Sequence, residues 1–336
     1  MVVTADNLAA PLVDGFGRRI DYVRLSVTDR CDLRCRYCMA EKMQFLPRSE
    51  LLTLEELAAL GELFIARGVR RIRLTGGEPL VRRNIISLIR ALGKRLGNGL
   101  DELTMTTNAT QLADLAGPIF DAGMRRINVS LDSLDPDRFR YITRRGDLDQ
   151  VLSGIASAKA VGSSVKINMV AMRGLNDVDI EPMLRWCGDQ GFDLTLIETM
   201  PLGEVQEDRS DHYLPLDEVR KTLEKTFTLI PSVHRTGGPA RYFDVPETGG
   251  RLGLITPLTE NFCSGCNRIR VTATGTIVGC LGHDQRVELR DSLRAGDLAA
   301  VDASLAELLA GKPRRHLFDI AASAPAVERH MSVTGG

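Results

Sequence analysis

Apolar and polar positions change rhythm twice along this chain. Residues 22–27 alternate with the period of two that marks a strand. Beyond a polar loop, stretches with helical periodicity alternate with short apolar runs. The helical stretches are 54–66, 84–96, 112–122, 136–143 with 148–161, and 180–190. The strand-like runs are 69–74, 102–107, 126–131, 165–172 and 193–199. Thr53 and Glu56 stand three apart at the head of the first helix, the spacing of a capping box. Six strands separated by helices predict parallel strands with helical crossovers, in an α/β barrel or an open sheet. Six units fall short of the eight that close a full barrel.

Past Met200 the rhythm fails. Residues 201–213 are polar and loop-like, 216–227 reads as a helix, and strand candidates follow at 241–245, 252–256, 269–272 and 276–279. Two short helices are expected near the end. The chain thus divides into an arm (1–20), an α/β unit (21–200) and a smaller α+β region (201–336). It contains no tandem repeat and no low-complexity tract.

Composition narrows the class. Of 336 residues, 43% are hydrophobic and 26% charged, ordinary for a globular protein that needs no disulfides. A net charge of −1 gives no global attraction to nucleic acid or to an anionic membrane, so any anion must meet local cations. No uncharged apolar run approaches the roughly 20 residues of a membrane span. The start lacks a basic stretch followed by an apolar core. The expectation is a cytoplasmic protein.

The seven cysteines change the picture most. Three lie early (Cys31, Cys35, Cys38), three late (Cys263, Cys266, Cys280), and Cys187 stands alone beside Trp186 in a predicted helix, as a core residue would. Clustered cysteines in a reducing compartment point to metal or catalysis. The early C-x3-C-x2-C run lets one loop wrap an iron–sulfur cluster with three thiolates. Three ligands for four irons leave one iron free to chelate a small molecule. Zinc is the alternative, but it prefers four ligands, and no histidine stands near. The late C-x2-C-x13-C run offers a second such cage, with a zinc knuckle completed by His283 as its alternative. Arg268 and Arg270 follow directly and share one strand face, where two guanidinium forks suit phosphate oxygens. A solvated basic strand is the plainer reading.

With an aromatic before its last cysteine and Gly76-Gly77-Glu78-Pro79 downstream, the early motif resembles the radical S-adenosylmethionine (SAM) superfamily. There the amino and carboxylate groups of SAM chelate the open iron. The two cysteine trios and Cys266-Asn267-Arg268-Ile269-Arg270 narrow the resemblance to the GTP 3′,8-cyclase family. So do residues 17–31, Arg73-Leu74-Thr75, Thr106-Thr107-Asn108, residues 128–132 and 165–168, and the terminal Gly335-Gly336. Ala40 stands where that family usually has proline, Ala109 where it usually has glycine, and residues 203–212 are less typical.

The resemblance implies an incomplete (β/α)6 TIM-like barrel and a radical SAM lyase. It implies cyclisation of GTP to (8S)-3′,8-cyclo-7,8-dihydroguanosine 5′-triphosphate, the first step of molybdenum cofactor biosynthesis. Cys31, Cys35 and Cys38 would hold one [4Fe–4S] cluster, and Cys263, Cys266 and Cys280 a second whose open iron meets the guanine. Tyr37, Gly77, Ser130 and Met200 match SAM-contacting positions. Arg24, Arg73, Thr106, Lys166, Arg268 and Arg270 match positions near GTP. Arg24 is a candidate to assist a proton, and Gly335 and Gly336 to reach the cavity; the plain alternative for the two glycines is a loose end. The implied partners are an external electron donor and, at hand-over, cyclic pyranopterin monophosphate synthase. Monomer and homodimer both stay open, and neither nucleic acid nor membrane is expected. Two other readings remain: a peptide-modifying radical SAM maturase with an auxiliary cluster, and a zinc-bearing RNA-binding protein.

Overall fold

The computed structural model describes residues 10–203, 210–322 and 325–335. Six strands carry the first half: β1 (Tyr22–Ser26), β2 (Arg71–Thr75), β3 (Glu102–Thr107), β4 (Arg126–Ser130), β5 (Ser164–Ala171) and β6 (Asp193–Glu198). Between them run α1 (Leu54–Ala66), α2 (Ile85–Gly93), α3 (Leu112–Asp121), α4 (Pro136–Thr143), α5 (Leu148–Ala160) and α6 (Ile180–Gln190). The capping box forms: Glu56 N–H donates to Thr53 Oγ1 at 3.1 Å, and Thr53 N–H to Glu56 Oε2 at 2.7 Å. Helix α2 ends at Gly93, short of the expected 96, because the chain turns through Gly97 and Gly99 at φ 73° and 95°.

The second half supplies α7 (Leu216–Leu223), β7 (Ile230–Pro231), β8 (Arg241–Val245), β9 (Gly250–Ile255), β10 (Arg268–Val271), β11 (Thr276–Val278) and β12 (Arg286–Glu288). Helices α8 (Arg290–Ala295), α9 (Leu298–Ala310) and α10 (Met331–Thr334) follow. All twelve strands among the described residues form one sheet, ordered β12-β11-β10-β1-β2-β3-β4-β5-β6-β9-β8-β7. Strand β9 pairs parallel with β6, and β10 parallel with β1. The parallel run is therefore eight strands long, six from the α/β unit and one added at each edge. β9 and β10 do not pair with each other, so the sheet curls without closing.

Alternation on each strand sorts the side chains. Val23, Leu25, Ile72, Leu74, Ile127 and Val129 are fully buried under the helices. Their neighbours Arg24, Arg73 and Ser130 face the other way, into the hollow of the sheet. The arm, over its described part, is docked. Leu12 and Ile20 are buried, and Gly15 N–H donates to Leu309 of α9.

Candidate active site

One cavity takes side chains from β1 to β6, β9 and β10. The six clustered cysteines line it, together with Tyr37, Gly77, Ser130, Met200, Arg24, Arg73, Thr106, Lys166, Arg268 and Arg270. Cys187 lies apart in the core.

The early cysteines sit on the loop leaving β1, at the C-terminal ends of the parallel strands, where such folds place their ligands. Cys38 N–H and Met39 N–H both donate to the Cys35 carbonyl, curling the loop so that its sulfurs face the cavity. Arg34 and Arg36 N–H donate to Thr143 and Ile142 at the end of α4 and fix the loop from outside. Inside, Asp32 accepts from Asn108 Nδ2 at 2.7 Å and from the Thr110 hydroxyl at 2.5 Å. The Glu78 carboxylate accepts from Leu80 N–H, Asn108 N–H and the Thr107 hydroxyl. Burial, working against those bonds, lifts its pKa to about 7. Tyr37 donates to Asp132 at 2.8 Å, and burial raises Asp132 to about 6. Burial also pushes the Cys38 thiol up to about 12, and Cys35 well above its ordinary value. Bare thiolates are costly in such a place; a cationic cluster core fits the donor set.

Gly76 and Gly77 have a structural reason not foreseen from their position near SAM. A Cβ on Gly77 would run into the Arg30 carbonyl, and one on Gly76, at φ 155°, would lie 2.6 Å from the Thr28 carbonyl oxygen. The loop is pressed against the segment that leads into Cys31.

Across the strands, cations fall into register. Arg24 of β1 is the Cα partner of Arg270 of β10 on one side and of Arg73 of β2 on the other. Neighbouring strands are about 4.8 Å apart, so three guanidinium groups stand side by side on the cavity wall. Lys166 and Arg268 face the same cavity. Burial, then Arg270 and Arg73, lower the pKa of Arg24 well below its usual value. Burial, then Arg268, lowers Arg270 to about 10. Lys166 is lowered by burial, then by Arg73 and Arg126; its ammonium reaches the Tyr242 hydroxyl at 3.2 Å. Among the described residues, the Nε atoms of Arg24, Arg73 and Arg268 and the Thr106 hydroxyl are buried without a partner. Like charges so aligned repel, and an anion is the group this wall lacks.

Cys263 and Cys266 lead into β10, and Cys280 leaves β11, which runs antiparallel to it. The late trio therefore lies at the N-terminal ends of the parallel strands, across the cavity from the early one. The cation row lies between. His283 is turned away, with Nε2 at 3.0 Å from the Arg315 carbonyl. Gly335 comes to the Arg270 guanidinium and to Thr75; Gly336 lies outside the described residues.

Several residues of the site gave no signal in the sequence. Glu198, fully buried, accepts from Leu216, Leu258 and Thr259 N–H and from the Thr259 hydroxyl, tying the loop after β9 to β6. Tyr242 and Lys312 are others; Arg18 and Asp132 fall in stretches that carry the family resemblance, but nothing local names their contacts. Their partners are remote in sequence, and only the fold brings them together.

Residues 25–187 match the model of the radical SAM superfamily, and residues 192–318 that of Molybdenum Cofactor Synthesis C. A GTP 3′,8-cyclase of Rhizobium meliloti is 60% identical over 335 residues, spanning 98% of this chain and 96% of that protein. One from Erythrobacter litoralis is 59% identical over 330 residues, spanning 98% and 99%. The chain belongs to the GTP 3′,8-cyclase family. Enzymes of this family perform the first step of molybdenum cofactor biosynthesis by radical SAM chemistry, with SAM and two [4Fe–4S] clusters as cofactors. Streptococcus suis SuiB bound to S-adenosylmethionine shares the fold, at 14% identity and a TM-score of 0.61, covering 94% of this chain and 77% of that one. Among the described residues, no helix is long and apolar enough to cross a membrane.

Proposed function

We propose that this cavity binds SAM at the early cysteines and GTP along the cation row, and closes GTP to (8S)-3′,8-cyclo-7,8-dihydroguanosine 5′-triphosphate. The observation that carries the reading is the register of Arg270, Arg24 and Arg73, with Lys166 and Arg268 on the same wall. A triphosphate, carrying on the order of four negative charges, neutralises what those side chains cannot neutralise among themselves.

Cys31, Cys35 and Cys38 hold one cluster, and Cys263, Cys266 and Cys280 the other. When bound, SAM and these clusters supply the radical and electron-transfer chemistry. Tyr37, held by Asp132, orients SAM together with Gly77, Ser130 and Met200. Arg24, Arg73, Thr106, Lys166, Arg268 and Arg270 grip and orient GTP. Arg24, in register between Arg270 and Arg73, is placed to assist the proton that completes the ring. Gly335 fills the space beside Arg270. An external one-electron donor, a cytoplasmic setting and hand-over of product to cyclic pyranopterin monophosphate synthase complete the reading; the chain acts as a monomer or homodimer.

Substrate loses one hydrogen atom and regains an electron and a proton, so the product is an isomer of GTP. The test is anaerobic incubation with GTP, SAM and reductant, followed by chromatography with mass detection. A new nucleotide of unchanged mass, formed with 5′-deoxyadenosine and methionine, supports the reading. SAM cleavage that leaves GTP intact contradicts it.

A further inference from the structure

Lys312 is 2% exposed, and among the described residues its ammonium has no carboxylate partner. Its ammonium donates to the Gly279 carbonyl at 2.6 Å and lies 3.5 Å from Cys266 Sγ. Gly279 directly precedes Cys280, so one cation touches both cysteine-bearing segments of the late trio. The segment that carries it is braced by the arm. Arg18 donates to the carbonyls of Pro313 (2.7 Å), Arg314 (2.9 Å) and Cys263 (2.8 Å), while Asp14 holds its Nε at 2.6 Å. Lys312 is therefore fixed against the cage from two sides.

The two trios differ in the charge around them. Glu78, Asp32 and Asp132 surround the early sulfurs, and Asp32 Oδ1 lies 3.8 Å from Cys31 Sγ. The late trio meets Lys312 and Arg268 instead. Arg268 follows Cys266 by two residues and faces the same cavity. A buried ammonium is costly unless compensated, and thiolates compensate it. A cluster on three thiolates gains one negative charge when it takes up an electron. A donor and positive charge at its sulfur favour that reduced state and raise the potential.

We propose that Lys312 is a positioning residue of the late trio, and that its ammonium between Cys266 and Gly279 raises the reduction potential of the cluster held there above that of the early one. The proposal rests on the assignment of a cluster to Cys263, Cys266 and Cys280. The couple is a single electron, supplied in the test by a chemical reductant, with no bond made or broken in the protein.

The experiment uses the full chain with Cys31, Cys35 and Cys38 replaced by alanine, reconstituted anaerobically and titrated with reductant under electron paramagnetic resonance. Lys312→Met and Lys312→Gln should lower the equilibrium constant for reduction at least tenfold, about 59 mV for one electron. The same substitutions in a chain lacking the late trio should leave the early cluster's potential in place. An unchanged midpoint overturns the proposal. So does loss of the cluster from both variants with the fold intact by circular dichroism, since Lys312 would then only build the cage. Absence of any cluster before Lys312 is altered would instead overturn the assignment beneath it.

Discussion

The Arg270 guanidinium donates to the carbonyl of Gly335, so the end of the chain is anchored on the cation row. Helix α10, a single turn, borders the same cavity, where Met331 and Ser332 line the wall along with the early cysteines. The tail thus runs beside the cation row in the cavity that the early cysteines line.

Replacing Gly335 tests that anchorage. It sits at φ 74°, where a side chain is strained, and a Cβ would collide with the Thr75 hydroxyl and lie 2.8 Å from Thr75 Cβ. Gly335→Ala should reduce product formation at least tenfold while iron content stays at the unmodified level. Normal turnover by the variant would show that the tail has no part in the reaction.

Arg268→Ala removes a guanidinium with an unpartnered buried Nε. A charge-assisted hydrogen bond contributes roughly 1.5–3 kcal/mol, or about a tenfold to hundredfold change in affinity. The KM for GTP should rise by that factor, with reductive SAM cleavage unchanged. An unaltered KM would remove Arg268 from the substrate site.

Lys166 makes GTP binding pH-dependent in a stated direction. Burial and Arg73 lower its pKa, so it loses its proton at a lower pH than a free lysine. The charged form binds phosphate. Affinity for GTP should therefore fall as pH rises through that lowered value, and Lys166→Arg should move the fall to higher pH. Isothermal titration over the full pH range in which the protein stays folded checks this; identical profiles for both proteins would exclude Lys166 as the titrating group.

Ala109 occupies the left-handed region at φ 64° and is fully buried. Relieving that conformation with glycine gains roughly 1 kcal/mol, while the lost methyl burial costs about 0.8 kcal/mol. The two nearly cancel, so Ala109→Gly should change unfolding free energy by less than about 1 kcal/mol, read from urea denaturation. A loss of twice that would mean the methyl group packs a site the backbone account misses. The loop itself is secured elsewhere, by the Thr107 hydroxyl that accepts from Ala109 N–H and donates to Glu78.

Local signals were readable where chemistry and partner lie close in the chain. Thr53 and Glu56 announce α1 because the capping box spans three residues. The strands from β1 to β6 are legible because one face of each is continuously apolar. The six cysteines declare themselves by spacing. What stayed hidden depends on closure over long distances. Strands β9 and β10 look like any short strand, and nothing local says that they extend the parallel run to eight. Arg18 reads as one of many arm charges until the Cys263 carbonyl, 245 residues later, accepts its hydrogen bond. Lys312 carries no motif; only the fold sets it between Gly279 and Cys266. The glycines of the Gly-Gly-Glu-Pro loop were recognised, but the reason for them, contact with Thr28 and Arg30, needed the structure.

Metal content after full anaerobic reconstitution tests the central claim most directly. The unmodified chain should hold about eight irons with matching sulfide, and about four when either trio is replaced by alanine. Zinc in place of iron, a total near four before any substitution, or a count indifferent to the loss of one trio would contradict two separate cages in one cavity.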